Sequence, residues 1–259
     1  MIQLIALHGF LNRGDIFDHS LGHWAADHPE LEFSCWAPDL FSPDTPLSAD
    51  LTMSEWVERF CELVEVHTHP DFPRVLLGYS MGGRLAMQAL VAYPQLWSAG
   101  ILISAHPGEE DSYERQAWRQ NWSERFASGE DFARLAEDWQ GQDVLRGSDS
   151  RSKAYRVQEE DFDREALALA LARWDRTQHL FSLEEVQEIG RPLLWCWGEH
   201  DGVYSQLYRQ LREQGIPGEW REVKGAGHRV PVEAPRELAG HLVDFLKSID
   251  LEEVEVESN

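Results

Sequence analysis

An α/β fold with a mostly parallel sheet, flanked by helices and interrupted by a helical cap, is what this sequence predicts, and three observations carry it. From Met1 to about His106, apolar runs of strand length alternate with helical segments, the pattern of a parallel sheet covered on both faces. Between about Pro107 and Gln178 the strand signal stops and charged, tryptophan-rich helical segments replace it. Strand and helix alternate again from Arg191.

Each element follows from its residues. Ile2–Leu7 is a continuous apolar run that ends in His8-Gly9-Phe10, and a further strand is expected around Cys35–Pro38. Ser54–His67 has helical spacing. Val75-Leu76-Leu77 runs into Gly78-Tyr79-Ser80-Met81-Gly82, followed by a helix over Gly82–Ala92 and a strand at Gly100–Ser104. In the middle segment helices are expected over Glu114–Phe126, Glu130–Trp139 and Arg164–Trp174. Pro192–Trp197 and Arg221–Val223 are late strands that lead into Gly198-Glu199-His200-Asp201 and Lys224-Gly225-Ala226-Gly227-His228. Residues 251–259 read as a frayed acidic tail. With no repeat or low-complexity linker, the 259 residues form one domain, with a cap at about 107–178 that excludes water and selects substrate.

The chemistry sits at the strand ends. Gly-x-Ser-x-Gly between a strand and a helix is the pattern of a nucleophile elbow, which presents a serine at a strained turn. The pattern alone arises by chance in roughly one chain in ten of this length. Its partners give it weight: an acid after a later strand and a histidine in a glycine-rich turn after the last strand, in the order Ser80, Asp201, His228. His228 could instead be a surface loop histidine and Asp201 a simple helix cap, with Glu199 as competing acid. The chain after the first strand and the residue after the serine are where an oxyanion hole is built, which nominates the N–H groups of Phe10 and Met81. His8 reads as structural, shaping the Phe10 loop. Arg84, one helical turn after Ser80 and on the same face, either turns outward to a surface carboxylate or clamps a substrate carboxylate with its planar fork.

Composition narrows the partners. With 23 basic and 46 acidic residues the net charge is -23, which opposes nucleic acid and anionic membranes as partners. Lysine occurs only at 153, 224 and 247, so the positive charge is nearly all arginine, and such an acidic, lysine-poor surface suggests salt tolerance. No apolar run reaches the length of a membrane span and no signal-type segment opens the chain, so no membrane insertion is expected and the cytoplasm is the expected location. Cys35, Cys61 and Cys196 are scattered, without metal-ligand spacing, and read as buried reduced thiols.

The segments GYSMGGRLAM, AHPGEEDSYERQAWRQNWSERF and FARLAEDW resemble the 2-succinyl-6-hydroxy-2,4-cyclohexadiene-1-carboxylate synthase family of menaquinone biosynthesis, on the α/β-hydrolase fold. The resemblance spans the elbow, the start of the cap, the acid strand and the His228 loop. It implies loss of pyruvate from an enolpyruvyl cyclohexene by elimination, with Ser80, Asp201 and His228 as catalytic triad and Arg84 and Arg115 binding a small anionic substrate. It also implies that Trp139 faces the pocket, and that neither a metal nor an organic cofactor is needed. A further cap arginine expected from the family has Arg156 and Arg164 as its nearest candidates. Where the family reads Asp-Leu-Pro-Gly-His-Gly, this chain has Asp39-Leu40-Phe41-Ser42-Pro43-Asp44. The alternatives are a serine esterase or carbon–carbon bond hydrolase acting on a small carboxylate-bearing substrate, and a non-catalytic binding protein on the same scaffold.

Overall fold

The computed structural model describes residues 1–109, 111–145, 158–179 and 181–249. Six strands, β1 (Ile2–Leu7), β2 (Phe33–Trp36), β3 (Arg74–Tyr79), β4 (Ala99–Ile103), β5 (Leu193–Gly198) and β6 (Glu219–Val223), form one sheet in the order β2-β1-β3-β4-β5-β6. Every pairing is parallel. The order switches direction between β1 and β3, so the loops leaving their carboxyl ends diverge and open a crevice there.

The interior strands are apolar without a break because helices cover both of their faces. Ile5, Leu7, Leu76 and Leu102 pack in a core with α2 (Met53–His67), α3 (Met81–Ala92) and α8 (Gly202–Glu213). Their neighbours Leu4, Ala6, Val75, Leu77, Ile101 and Ile103 point the other way, into a core with α1 (Asp18–Asp27) and α10 (Pro235–Ser248). Helix starts are encoded locally. Thr52 and Glu55 form a capping box at α2, in which two orphan donors are satisfied reciprocally.

The edge strand departs from the sequence reading. The second strand is Phe33–Trp36 rather than Cys35–Pro38, and Cys35 is exposed, whereas Cys61 and Cys196 are buried. β2 is the sheet's outer strand, so its side chains are only partly covered. The expectation of three buried thiols is corrected for Cys35.

Between β4 and β5 lie α4 (Tyr113–Ala127), α5 (Phe132–Gln140), α6 (Arg164–Arg173) and the short α7 (Leu183–Gln187). The first three match the expected helices to within a residue or two at each end. Serine and aspartate caps start them: Ser112, Asp131 and Asp163 each accept from a first-turn N–H. The tryptophans of this segment form an apolar underside. Trp139 lies 4.4 Å from Phe10, ring centre to ring centre, and touches Trp118, Trp122 and Phe126. These helices therefore sit on the loop that follows β1. Arg156 and residues 251–259 lie outside the described residues. Among the described residues no helix is long and apolar enough to cross a membrane.

Candidate active site

Ser80 stands at the turn from β3 into α3 with φ 53° and ψ -113°, a conformation that costs a non-glycine residue on the order of 1–3 kcal/mol. The flanking glycines make the turn possible. A Cβ at Gly78 would lie 2.5 Å from the Gly83 Cα, and one at Gly82 would lie 2.1 Å from the Leu7 carbonyl oxygen. The turn is held by Ser80 N–H donating to the Ile103 carbonyl at 2.8 Å. Leu11 and Ser104, which follow β1 and β4, also have positive φ, so the non-glycine strain among the described residues collects at the sheet's carboxyl edge.

Three side chains from three strand ends meet there. Ser80 Oγ lies 3.1 Å from His228 Nε2, and His228 Nδ1 lies 2.7 Å from Asp201 Oδ2. Because a carboxylate only accepts, Nδ1 carries the proton and Nε2 is left to accept from the serine hydroxyl. Asp201 does both things that the sequence suggested. Its Oδ1 accepts from Tyr204 N–H at 3.1 Å, capping α8, while Oδ2 faces His228. Glu199, the competing acid, is partly exposed, accepts from Gly225 N–H and faces Lys224. Glu233, from the short α9 (Val230–Glu233), is buried and accepts from Gly227 N–H, fixing the turn that carries His228.

Phe10 and Met81 both line the cavity beside Ser80. Met81 is the first residue of α3, where a helix N–H has no intrahelical partner. Behind Phe10, His8 is fully buried and ties two loops together. Its Nε2 accepts from Leu40 N–H at 2.9 Å and its Nδ1 donates to the Gly9 carbonyl at 2.9 Å. Burial pushes its pKa down to about 4, so the ring is neutral. The loop that departs from the family pattern is held here: Asp39 accepts from Gly14 N–H, and Phe41 packs on His8, Phe10 and Trp174. Residues 39–44 stand behind the cavity wall and do not line it.

The cavity wall is rich in arginine. Among the described residues Arg84, Arg115, Arg176 and Arg229 line it, with Asp175 as the one carboxylate and Trp118, Trp139 and Tyr204 as aromatic surface. Arg84 is turned inward: its Nε and Nη2 donate to the Trp174 carbonyl at 3.2 and 3.0 Å. Among the described residues no carboxylate forms an ion pair with it, and burial lowers its pKa. Arg115 pairs through both fork nitrogens with the buried Asp175, its guanidinium 3.8 Å from the Trp118 ring centre. Arg164 is elsewhere, donating to the carbonyls of Phe126 and Glu130 and to Glu159, so it is not the further arginine of the cavity. Arg176 and Arg229 are the arginines that sequence reasoning missed. Arg229 directly follows His228, an adjacency that could have nominated it.

Two titratable groups near the arginines are neutral. His106 has its pKa lowered to about 3 by burial and by Arg176, Arg84 and Arg115, and burial pushes Tyr204 up to about 12. Among the described residues no grouping of His, Cys, Asp and Glu could hold a metal ion.

A profile of the alpha/beta hydrolase family matches residues 4–241. The chain is 24% identical over 253 residues to the putative 2-succinyl-6-hydroxy-2,4-cyclohexadiene-1-carboxylate synthase of Bacillus subtilis, covering 95% of this chain and 90% of that protein. It is 30% identical over 179 residues to the 2-succinyl-6-hydroxy-2,4-cyclohexadiene-1-carboxylate synthase of Serratia proteamaculans, covering 66% of this chain and 67% of that one. Among solved structures, MenH from S. aureus aligns with a TM-score of 0.77 at 21% identity, over 95% of this chain and 93% of that one. A thermophilic esterase from Thermogutta terrifontis aligns with a TM-score of 0.74 at 20% identity, over 96% and 90%. Those two alignments speak for the fold, which a synthase and an esterase share. The family profile and the Serratia relative go further: the chain belongs to the alpha/beta hydrolase family and, within it, to the 2-succinyl-6-hydroxy-2,4-cyclohexadiene-1-carboxylate synthase family.

Proposed function

We propose that this protein eliminates pyruvate from 2-succinyl-5-enolpyruvyl-6-hydroxy-3-cyclohexene-1-carboxylate to give 2-succinyl-6-hydroxy-2,4-cyclohexadiene-1-carboxylate, a step of menaquinone biosynthesis. The observation that carries this reading is the join between a hydrogen-bonded Ser80–His228–Asp201 chain and a cavity wall that, among the described residues, has four arginines against one carboxylate. An esterase needs the first and has no use for the second, whereas a substrate bearing several carboxylates needs both.

The geometry supports the following steps. His228 Nε2 accepts the Ser80 proton, and Ser80 Oγ removes the proton on ring carbon 2, next to the succinyl ketone. The ketone oxygen gains enolate character and is held by the N–H groups of Phe10 and Met81. The electron pair then forms the double bond between carbons 2 and 3, the existing double bond moves to carbons 4 and 5, and the bond from carbon 5 to the enolpyruvyl oxygen breaks. Pyruvate leaves as its enolate and takes a proton. Arg84 and Arg115 hold the substrate carboxylates, and Trp139 closes the apolar side of the ring site.

The test is to supply the enolpyruvyl substrate and follow pyruvate, with a p-nitrophenyl ester as control. Pyruvate release with little ester turnover is the expected result. Ester turnover without pyruvate release would make the protein a hydrolase.

A further inference from the structure

The arginine wall depends on a stretch of three residues that no motif marks. Trp174 is the C-cap of α6, where the last carbonyls of a helix have no intrahelical donor and carry partial negative charge. The Trp174 carbonyl is the acceptor for both bonds from Arg84. The next residue, Asp175, takes the whole Arg115 fork: Nε donates to Oδ1 at 3.1 Å and Nη2 to Oδ2. The third, Arg176, is itself part of the cavity wall and is tethered to Glu109. Arg84 comes from the sheet side, on α3, and Arg115 from the cap, on α4. The side-chain hydrogen bonds of both arginines end on this one segment.

Asp175 is a costly residue to place here. It is 4% exposed and lines a cavity meant for anions, so its own charge opposes the ligand. Burial by itself raises its pKa, yet the hydrogen bonds from Arg115 and the charges of Arg115 and Arg84 hold it below the usual carboxylate range. The rest of its acceptor capacity is filled: Oδ1 also accepts from Thr177 N–H at 3.2 Å and Thr177 Oγ at 3.0 Å, and Arg119 stands 3.6 Å away. A carboxylate bound on so many sides is a fixed anchor. It consumes Nε and Nη2 of Arg115 and leaves Nη1 to face a ligand.

We propose that Asp175 is a positioning residue for anion recognition: with the Trp174 carbonyl it straps Arg84 and Arg115 to one end of α6, so that two arginines from separate layers are presented to a dicarboxylate in fixed register. This rests on the proposed function for its substrate. The register itself is independent of the reaction, because preorganised donors lower the ordering cost of binding whatever chemistry follows.

The two roles open to Asp175 have opposite consequences. An anchor makes Asp175→Asn weaken anion binding, since the amide offers an N–H where a guanidinium N–H was accepted and releases the fork. A mere competitor for Arg115 makes the same change strengthen it. The experiment measures binding of 2-oxoglutarate to the whole protein by calorimetry, and KM and kcat for pyruvate release from the enolpyruvyl substrate, for wild type, Asp175→Asn and Asp175→Glu. The expected result is at least a tenfold weaker 2-oxoglutarate affinity and at least a tenfold higher KM for Asp175→Asn, kcat within about threefold, and partial recovery in Asp175→Glu. Thr177→Val, which removes the hydroxyl that donates to Asp175 and accepts from Arg119 and Gln178 but removes no charge, serves if Asp175→Asn does not fold, and is expected to raise both constants about two- to fivefold. Unchanged or tighter binding in the variants overturns the strap, as does a wild type that shows no 2-oxoglutarate binding. Normal dicarboxylate binding without any pyruvate release leaves the strap standing and overturns the reaction instead.

Discussion

Ser80, His228 and Asp201 form one hydrogen-bonded chain, so their losses should not add. Ser80→Ala, His228→Ala and Asp201→Asn are each expected to lower the turnover number for pyruvate release by about a thousandfold or more, and the double variants to fall little further. Asp201→Asn is informative because Asn keeps an oxygen to cap α8 while its amide offers an N–H to His228 Nδ1, favouring the wrong tautomer. Thermal melting should therefore barely change while activity falls. Arg84 and Arg115 should behave differently from each other. Arg84 has a carbonyl as its acceptor, so Arg84→Ala should mainly raise KM for the anionic substrate, by about 1.5–3 kcal/mol of binding. Arg115→Ala also strips the fork from a buried carboxylate, and breaking a buried pair costs about 3–5 kcal/mol of stability, visible in urea melts. The hydrogen-bonded set Ser80, His228 and Asp201 is legible in the sequence because chain order and strand ends specify it. Asp175, Arg176 and Glu233 are not, because their roles arise from contacts between segments far apart in sequence.

Elements were legible in proportion to how thoroughly they are buried. β1, β3 and β4 are covered on both faces and read as unbroken apolar runs, whereas β2, a four-residue edge strand, lacks that signal, and the sequence places it two residues late. The cap helices are legible as charged, tryptophan-rich segments where the strand pattern stops, but the segment 174–176 begins where the helical pattern ends. The loop after β1 makes its own prediction through His8. Its pKa is about 4 in the folded protein against about 6.5 unfolded, so the unfolded chain takes up the proton first. The stability this neutral ring provides is complete above about pH 6.5 and is lost as pH falls towards about 4, by roughly 3 kcal/mol in all. Urea melts between pH 7 and pH 4 should show a shallower acid loss for His8→Gln than for wild type by about that amount. Equal slopes would mean that His8 protonates in the folded state at no cost.

The whole molecule carries a charge of -23, while the described residues of its cavity wall include four arginines and one carboxylate. The distant field repels an anionic substrate and the near field attracts it. Salt screens the long-range repulsion more than the contacts made inside the partly buried cavity. Raising ionic strength from low to physiological values should therefore raise kcat/KM for the enolpyruvyl substrate and leave the rate with a neutral ester nearly constant. A steady fall for the anionic substrate alone would mean that the arginine wall already dominates at long range.

Whether Ser80 starts an elimination is read most directly from the simultaneous appearance of pyruvate and of the ring diene's ultraviolet absorbance, in wild type and in Ser80→Ala. If it does, wild type forms one diene per pyruvate, and both signals drop about a thousandfold or more in Ser80→Ala. Pyruvate and diene appearing in Ser80→Ala at near the wild-type rate would contradict it.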